Sequence, residues 1–361
     1  MRIARIVGIC QNPRMNETRV IQTADDDSKE AVREAAAVLR SGDIAALPTE
    51  TVYGLAADAF DADAVAKVFA AKERPSFDPL IVHIATRGDL ARVAVVPDAI
   101  AATVNQLTSA FWPGPLTLVL PRHPDIPDIV TSGLPTIAVR QSAHPVMRAV
   151  IRELGRPVAA PSANRFGRIS PTSASAVLKE LGGRIPLVID AGACREGLES
   201  TIVSIEPREG KKPVLRLHRA GPVTKEMLQP FGKVEKPKAD PGSAPQTPGQ
   251  LPGHYAPRTP LVLMESVRDF HPDPEKRYGL LSYRGDGPWV DLHHWDRVET
   301  LSPGSGKLAE AAVRLFHCMR TLDEAGLDTI VAEPVSETGL GVAIMDRLRR
   351  ASTGAPDDHR D

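Results

Sequence analysis

Apolar positions recur at helical spacing in "AVREAAAVLR" (31–40), and "SGD" closes that run. The same spacing predicts helices over 61–71, with Asp61 as N-cap, and over 99–111, 144–154 and 173–181. Between them lie short, almost wholly apolar runs: 44–47, "LIVHI", "LTLVL", "TIAVR", "PVAAPSAN", "LVIDAG", "STIVSI" and "VLRLHR". Strands apolar on both faces belong in a sheet covered by helices, so the first part of the chain predicts an α/β fold. Towards the C-terminus the pattern returns in small form: strands "LVLM", "YGLLSY" and "TIVAE", and helices over 307–325 and 342–350. Gly326 is placed to follow a helix end. This second unit predicts a Rossmann-like α/β layer. It has no GxGxxG after its first strand, so no dinucleotide site is expected there.

Between the two units, eight prolines fall from Pro230 to Pro260. Proline removes donors and locks φ, so an extended linker is expected. The expected boundaries are an N-terminal extension at 1–17, a first domain at 18–228, a linker at 229–260, a second domain at 261–352 and a tail at 353–361. At 361 residues, two domains are the natural expectation.

The run "LPTETVYGLAADAF" (47–60) breaks the pattern. A strand stops at Pro48, and Thr49, Glu50, Thr51 and Tyr53 follow, then Gly54 and an apolar run of helix-like character. Thr49 could be a helix cap, and Glu50 could be a solvated carboxylate. Other strand ends also run into polar groups, where ligands of open α/β sheets gather. "KERPSFDPLIVHI" carries Lys72 and Arg74, readable as cations at a helix C-terminus or as a phosphate clamp. His83 within it could be a core histidine. "APSANRFGRISPT" combines Ser162, Asn164, Arg165, Arg168, Ser170 and Thr172, an inventory for phosphate and sugar or a polar capping loop. "GLESTIVSI" and "RAGPV" add Glu199, Ser200, Thr201 and Arg219. "FWPGPLTLVL" predicts a turn that shapes a wall. No P-loop, HExxH, GxSxG or kinase signature occurs.

Charge is balanced, with 44 Lys and Arg against 45 Asp and Glu, and aromatic content is 4%. Neither favours a nucleic-acid surface. Cys10, Cys194 and Cys318 form no CxxC pair, which argues against a disulfide framework or cysteine-rich zinc site. No apolar run approaches a membrane span, and no secretory signal is expected. The scattered N-terminal arginines read as a surface extension. A cytoplasmic protein is expected.

Taken in order, "PTETVYGLA", "KERPSFDPLIVHI", "WPGPLTLVL", "AVRQSAHP", "PSANRFGRISPT", "ESTIV" and "RAGPV" resemble the YrdC-type domain. With "HYAP" in the linker and "AEPVSETGLGVAIMDRLRRAS" at the end, the chain resembles the two-domain threonylcarbamoyl-AMP synthases. That resemblance implies a twisted, curved sheet with helices around a large, locally basic cavity. It implies an enzyme joining L-threonine, bicarbonate and ATP, with Mg²⁺, into L-threonylcarbamoyladenylate and pyrophosphate. A separate transferase complex would carry the group to N6 of an adenosine beside the tRNA anticodon. Residue by residue, it implies Lys72, Arg74, Ser162 and Asn164 around the triphosphate. Thr51, His83, Arg140, Ser162, Ser200 and Thr201 would contact threonine. Asp78, Thr136, Ser170, Thr172 and Arg219 match nucleotide-side positions, and His254 and Tyr255 match a lid. No protein metal ligand is implied. Asp78 stands where the family often has asparagine, Ser142 where it often has proline, and "RAG" where it often has "RPG". A carbamoyl-phosphate-dependent O-carbamoyltransferase and an RNA-binding module are the competing readings. The first usually needs paired CxxC motifs or extra domains, and the second is disfavoured by neutral charge.

Overall fold

The computed structural model describes residues 17–23, 29–75, 77–237, 247, 254–287, 290 and 293–354. All but the last residue of the expected N-terminal extension, most of the proline-rich stretch and most of the tail lie outside these residues.

Two sheets organise the described chain. The larger contains β1 (Arg19–Gln22), β2 (Ala45–Leu47), β3 (Gly54–Asp58), β4 (Ile81–His83), β5 (Leu116–Pro121), β6 (Thr136–Arg140), β7 (Val158–Ala159), β8 (Leu187–Asp190), β9 (Thr201–Glu206), β10 (Val214–Arg219) and β11 (Lys233–Glu235). Their order is β1-β8-β2-β3-β7-β4-β6-β5-β9-β10-β11, with parallel and antiparallel neighbours mixed. The smaller sheet holds β12 (Leu261–Leu263), β13 (Tyr278–Ser282), β14 (Arg297–Thr300) and β15 (Thr329–Ala332) in the order β12-β15-β13-β14, all parallel. The described helices are α1 (Lys29–Arg40), α2 (Ala62–Lys72), α3 (Asp98–Phe111), α4 (Asp128–Thr131), α5 (Pro145–Leu154), α6 (Ala174–Leu181), α7 (Lys225–Leu228), α8 (Leu308–Asp323) and α9 (Leu340–Ser352).

The periodic segments form where the pattern predicts. One stripe of α1 is buried through Ala31, Val32, Ala35, Ala36 and Leu39, and it covers the sheet beside α5. Asp61 caps α2 by accepting from the Asp63 and Ala64 amides, both at 3.0 Å. β2, β3 and β4 are buried at every position, which is why their sequences are apolar up to the Asp58 and His83 that end β3 and β4.

Two expectations need correction. The run after Gly54 is not helical: it is β3, paired with β2 and β7. Small apolar residues there lie buried on both faces, so no alternation marks the strand. The stretch expected to begin a linker at 229 first adds β11 to the large sheet, parallel to β10.

The two sheets meet through side chains. Arg320 on α8 donates to Glu180 at 3.0 Å and to the Ile169 carbonyl at 2.8 Å. Gly197 has φ +70, and a Cβ there would meet the Val313 backbone at 2.4 Å. Only glycine lets the segment before β9 lie this close to α8. One apolar cluster joins Val52, Ile169 and Leu198 to Tyr255, Phe316 and Ile344.

Candidate functional site

The Thr49–Val52 turn sits at the centre of the site. Thr49 Oγ1 accepts from the Thr51 and Val52 amides, each at 3.1 Å, and donates to the Val52 carbonyl at 2.6 Å. Thr49 thus closes a turn and does not cap a helix, because the chain goes straight into β3. The turn is tied to its surroundings by backbone bonds, from Tyr53 to Pro171, from Ala163 to Tyr53 and from Glu196 to Glu50.

Arg140, at the end of β6, faces this turn. Its Nη1 donates to Thr51 Oγ1 at 2.9 Å and its Nε to the Gly114 carbonyl at 3.3 Å. The Pro-Gly-Pro turn, expected to form a wall, is not among the lining residues; its Gly114 carbonyl instead steadies the guanidinium. Arg140 Nη2 lies 2.6 Å from Glu50 Oε1 in an ion pair whose angle falls outside hydrogen-bond geometry. Glu50 also accepts from the Ser142 hydroxyl. Burial pushes the Glu50 carboxyl up, but Arg140 and Ser142 outweigh it and hold it at about 2. Glu50 is thus a buried partner of Arg140, which sequence alone left unassigned. The Ser142 that replaces the family's proline supplies one of its hydrogen bonds.

His83 lies on β4 beside β6. Burial and the Arg140 charge push its imidazole down to about 3, so the ring is neutral at neutral pH. Its Nδ1 is buried without a hydrogen-bond partner.

Lys72 is the last residue of α2 and Arg74 follows it, beyond Glu73, which takes the left-handed cap at φ 54. Neither cation serves the helix end. Lys72 is 1% exposed and its amine donates to the Ser162 and Asn164 carbonyls. Burial, then Arg74, pushes its pKa well below the lysine range. Arg74 donates to the Asp78 and Pro79 carbonyls at 3.1 and 2.9 Å and pairs with the Asp78 carboxylate at 2.8 Å. Asp78 is fully buried, so Arg74 is its counter-charge.

A cavity opens between these groups, with a volume of about 50 Å³. Thr51, Arg74, His83, Arg140, Ser162, Ser200, Arg219, His254 and Tyr255 line it, together with Thr49 and Glu199. Most of the expected residues thus converge from several strand ends. Both lid candidates reach it. His254 packs edge-on to Phe166 at 5.3 Å and lies 3.9 Å from Asp78. Tyr255 stacks on Phe316 of α8 at 5.6 Å. Arg219 donates to Ser200 O and Oγ at 3.0 and 3.1 Å. Gly221 of "RAGPV" permits this, because a Cβ there would meet the Glu199 carbonyl at 2.5 Å.

Other expected residues sit elsewhere. Lys72, Asp78 and Asn164 are not among the lining residues. The Asn164 amide donates to the Arg165 and Arg168 carbonyls, and its Oδ1 is buried without a partner. Thr201 Oγ1 is turned to the Val223 carbonyl at 2.7 Å. Ser170 donates to Glu199 at 2.5 Å. Thr172 lines a separate cavity with Arg320 and Glu324 of the second domain. Thr136 begins β6 whereas Arg140 ends it, about 13 Å apart by strand rise. Among the described residues, no cluster of His, Cys, Asp and Glu could hold a metal ion, and no helix is long and apolar enough to cross a membrane.

A family model described as "Telomere recombination", Sua5/YciO/YrdC, matches residues 37–218. A second, described as "Threonylcarbamoyl-AMP synthase, C-terminal domain", matches residues 223–353. The threonylcarbamoyl-AMP synthase of Pyrococcus abyssi is 37% identical, covering 93% of this chain and 98% of that protein. That of Bacillus subtilis is 40% identical, covering 90% and 93%. The crystal structure of P. abyssi Sua5 complexed with L-threonine superposes with a TM-score of 0.79 at 35% identity, over 92% of this chain and 97% of that one. The chain therefore belongs to the Sua5/YciO/YrdC family, in the form that carries the threonylcarbamoyl-AMP synthase C-terminal domain.

Proposed function

We propose that this chain is a threonylcarbamoyl-AMP synthase, making L-threonylcarbamoyladenylate and pyrophosphate from L-threonine, bicarbonate and MgATP. The observation that carries the reading is the convergence of Arg140, Thr51, Arg74 and Arg219 on one buried cavity, in a chain similar over its length to synthases of that name.

The reaction has two steps. The threonine amine joins bicarbonate to form a carbamate, and water leaves. A carbamate oxygen then bonds to the α-phosphorus of ATP, and the bond to the β-phosphate oxygen breaks as pyrophosphate departs. Two anions must meet, so fixed cations offset their repulsion and set the line of attack. Arg140 takes the threonine carboxylate, held in place by Glu50 and Gly114. Thr51, His83 and Ser200 line the amino-acid end. Arg74 and Ser162, which line the cavity, receive the triphosphate, with Lys72 and Asn164 behind them, and Arg219 serves the nucleotide side. Mg²⁺ belongs to the ATP substrate here. The chain itself supplies no nucleophile.

The cavity is far smaller than the ~300–1,000 Å³ of typical ligand pockets. His254 therefore moves for substrates to enter, while Tyr255 stays stacked on Phe316, and the return of His254 keeps water from the carbamate. The adenylate passes to a separate tRNA-modifying transferase in the cytoplasm.

Purified protein with MgATP should release pyrophosphate only when both threonine and bicarbonate are present. Release that ignores threonine would sink this reading.

A further inference from the structure

Two residues lining the cavity are held from outside the catalytic domain. Arg347 on α9 is fully buried. Its Nε donates to Glu199 Oε2 at 3.0 Å, and its Nη1 donates to the Ala220 carbonyl at 2.8 Å and to Asp346 at 2.9 Å. The guanidinium also lies 5.3 Å from the Tyr255 ring centroid, within cation–π range. The second oxygen of Glu199 accepts from Ser170. Tyr255 takes φ +69, a conformation that non-glycine residues adopt only when their surroundings hold them there.

We propose that Arg347 is a positioning residue of the catalytic cavity, balancing the charge of Glu199 so that the cavity accepts ATP. This rests on the proposed synthase reading. Glu199 brings a negative charge to a cavity meant for a polyphosphate and a carboxylate. Arg219, the nearby cation of the catalytic domain, directs its hydrogen bonds to Ser200. The cation that donates a hydrogen bond to Glu199 comes from the second domain. Arg347 thereby makes the second domain part of the site, beyond its role in packing.

Removing one partner of a buried ion pair leaves a bare charge, whereas removing both does not. That asymmetry supplies the test. ATP affinity is measured by titration calorimetry, beside threonine-dependent turnover, for wild type, Arg347→Met, Glu199→Gln with Arg347→Met, and Arg320→Met. Arg320 joins the domains through Glu180 and Ile169, so it controls for packing alone. Arg347→Met should weaken ATP binding at least about tenfold, and the double variant should recover to within about threefold of wild type. Arg320→Met should lower the melting temperature without that loss. ATP binding unchanged in Arg347→Met, or a double variant as weak as the single, overturns the inference. If Arg347→Met fails to fold, the charge-balanced double variant decides the matter by the same affinity criterion. Wild type that binds ATP but turns nothing over would overturn the synthase reading and leave the affinity test of Arg347 intact.

Discussion

At one end of the cavity the Arg140 guanidinium faces its own carboxylate, Glu50, across 2.6 Å. At the other, Arg74 pairs with the buried Asp78 carboxylate and donates to the Asp78 and Pro79 carbonyls, while Lys72, outside the lining, rests on the Ser162 and Asn164 carbonyls. The first end is one closed ion pair, and the second adds a buried lysine amine beside its ion pair. On the proposed synthase reading, the difference suits two kinds of guest. A zwitterionic amino acid needs one oriented guanidinium and little net field. A polyphosphate needs unbalanced cations, preorganised where water is excluded. Neutral carbonyls can position a cation without cancelling it.

The sharpest way to break this contrast is Arg74→Ala. Turnover should fall about 100-fold or more, since a positioned charge is lost from the transition state. As a helix-end cation Arg74 would contribute only about 0.3–1 kcal/mol to stability. As the counter-charge of buried Asp78 its loss costs about 3–5 kcal/mol. Thermal unfolding should therefore show a marked drop, and adding Asp78→Asn should restore stability without activity. A stable, fully active Arg74→Ala would return the phosphate end to an ordinary helix terminus.

Acid gives a smaller effect at the Arg140 end. His83 has its pKa depressed to about 3 in the fold, against 6.5 in the unfolded chain. Its contribution to stability is complete above pH 6.5 and declines as pH falls towards 3, by up to about 1.4 kcal/mol per pH unit. The Glu50 contribution holds down to 4.5 and goes only between there and about 2. Denaturant midpoints from pH 7 to 4 should fall less steeply for His83→Asn than for wild type. Parallel curves would mean that His83 is not held neutral beside Arg140.

Much of this is legible in the sequence, for physical reasons that also explain the gaps. Helical periodicity and apolar runs mark α1, α2 and most strands. β3 escapes the pattern because "GLAAD" is small and buried on both faces, so no period of two marks it. The polar strand ends point to the cavity through Arg140, Arg74, His83, Ser200 and Arg219. Glu50 stays unassigned in the sequence because its partner lies ninety positions away, on β6, which β7 and β4 separate from β3 in the sheet. Glu199 has no role until α9 places Arg347 against it. Thr136 is expected on the nucleotide side, yet the strand it begins carries Arg140 at its opposite end.

The two ends are best separated by threonine titration calorimetry on charge-balanced pairs of substitutions. Glu50→Gln with Arg140→Met removes one end's charges together, and Asp78→Asn with Arg74→Met removes the other's. Threonine affinity should drop at least about tenfold in the first pair, the worth of a charge-assisted hydrogen bond. It should stay within about threefold of wild type in the second. Equal losses in both pairs, or the larger loss in the second, would contradict a cavity divided between amino acid and phosphate.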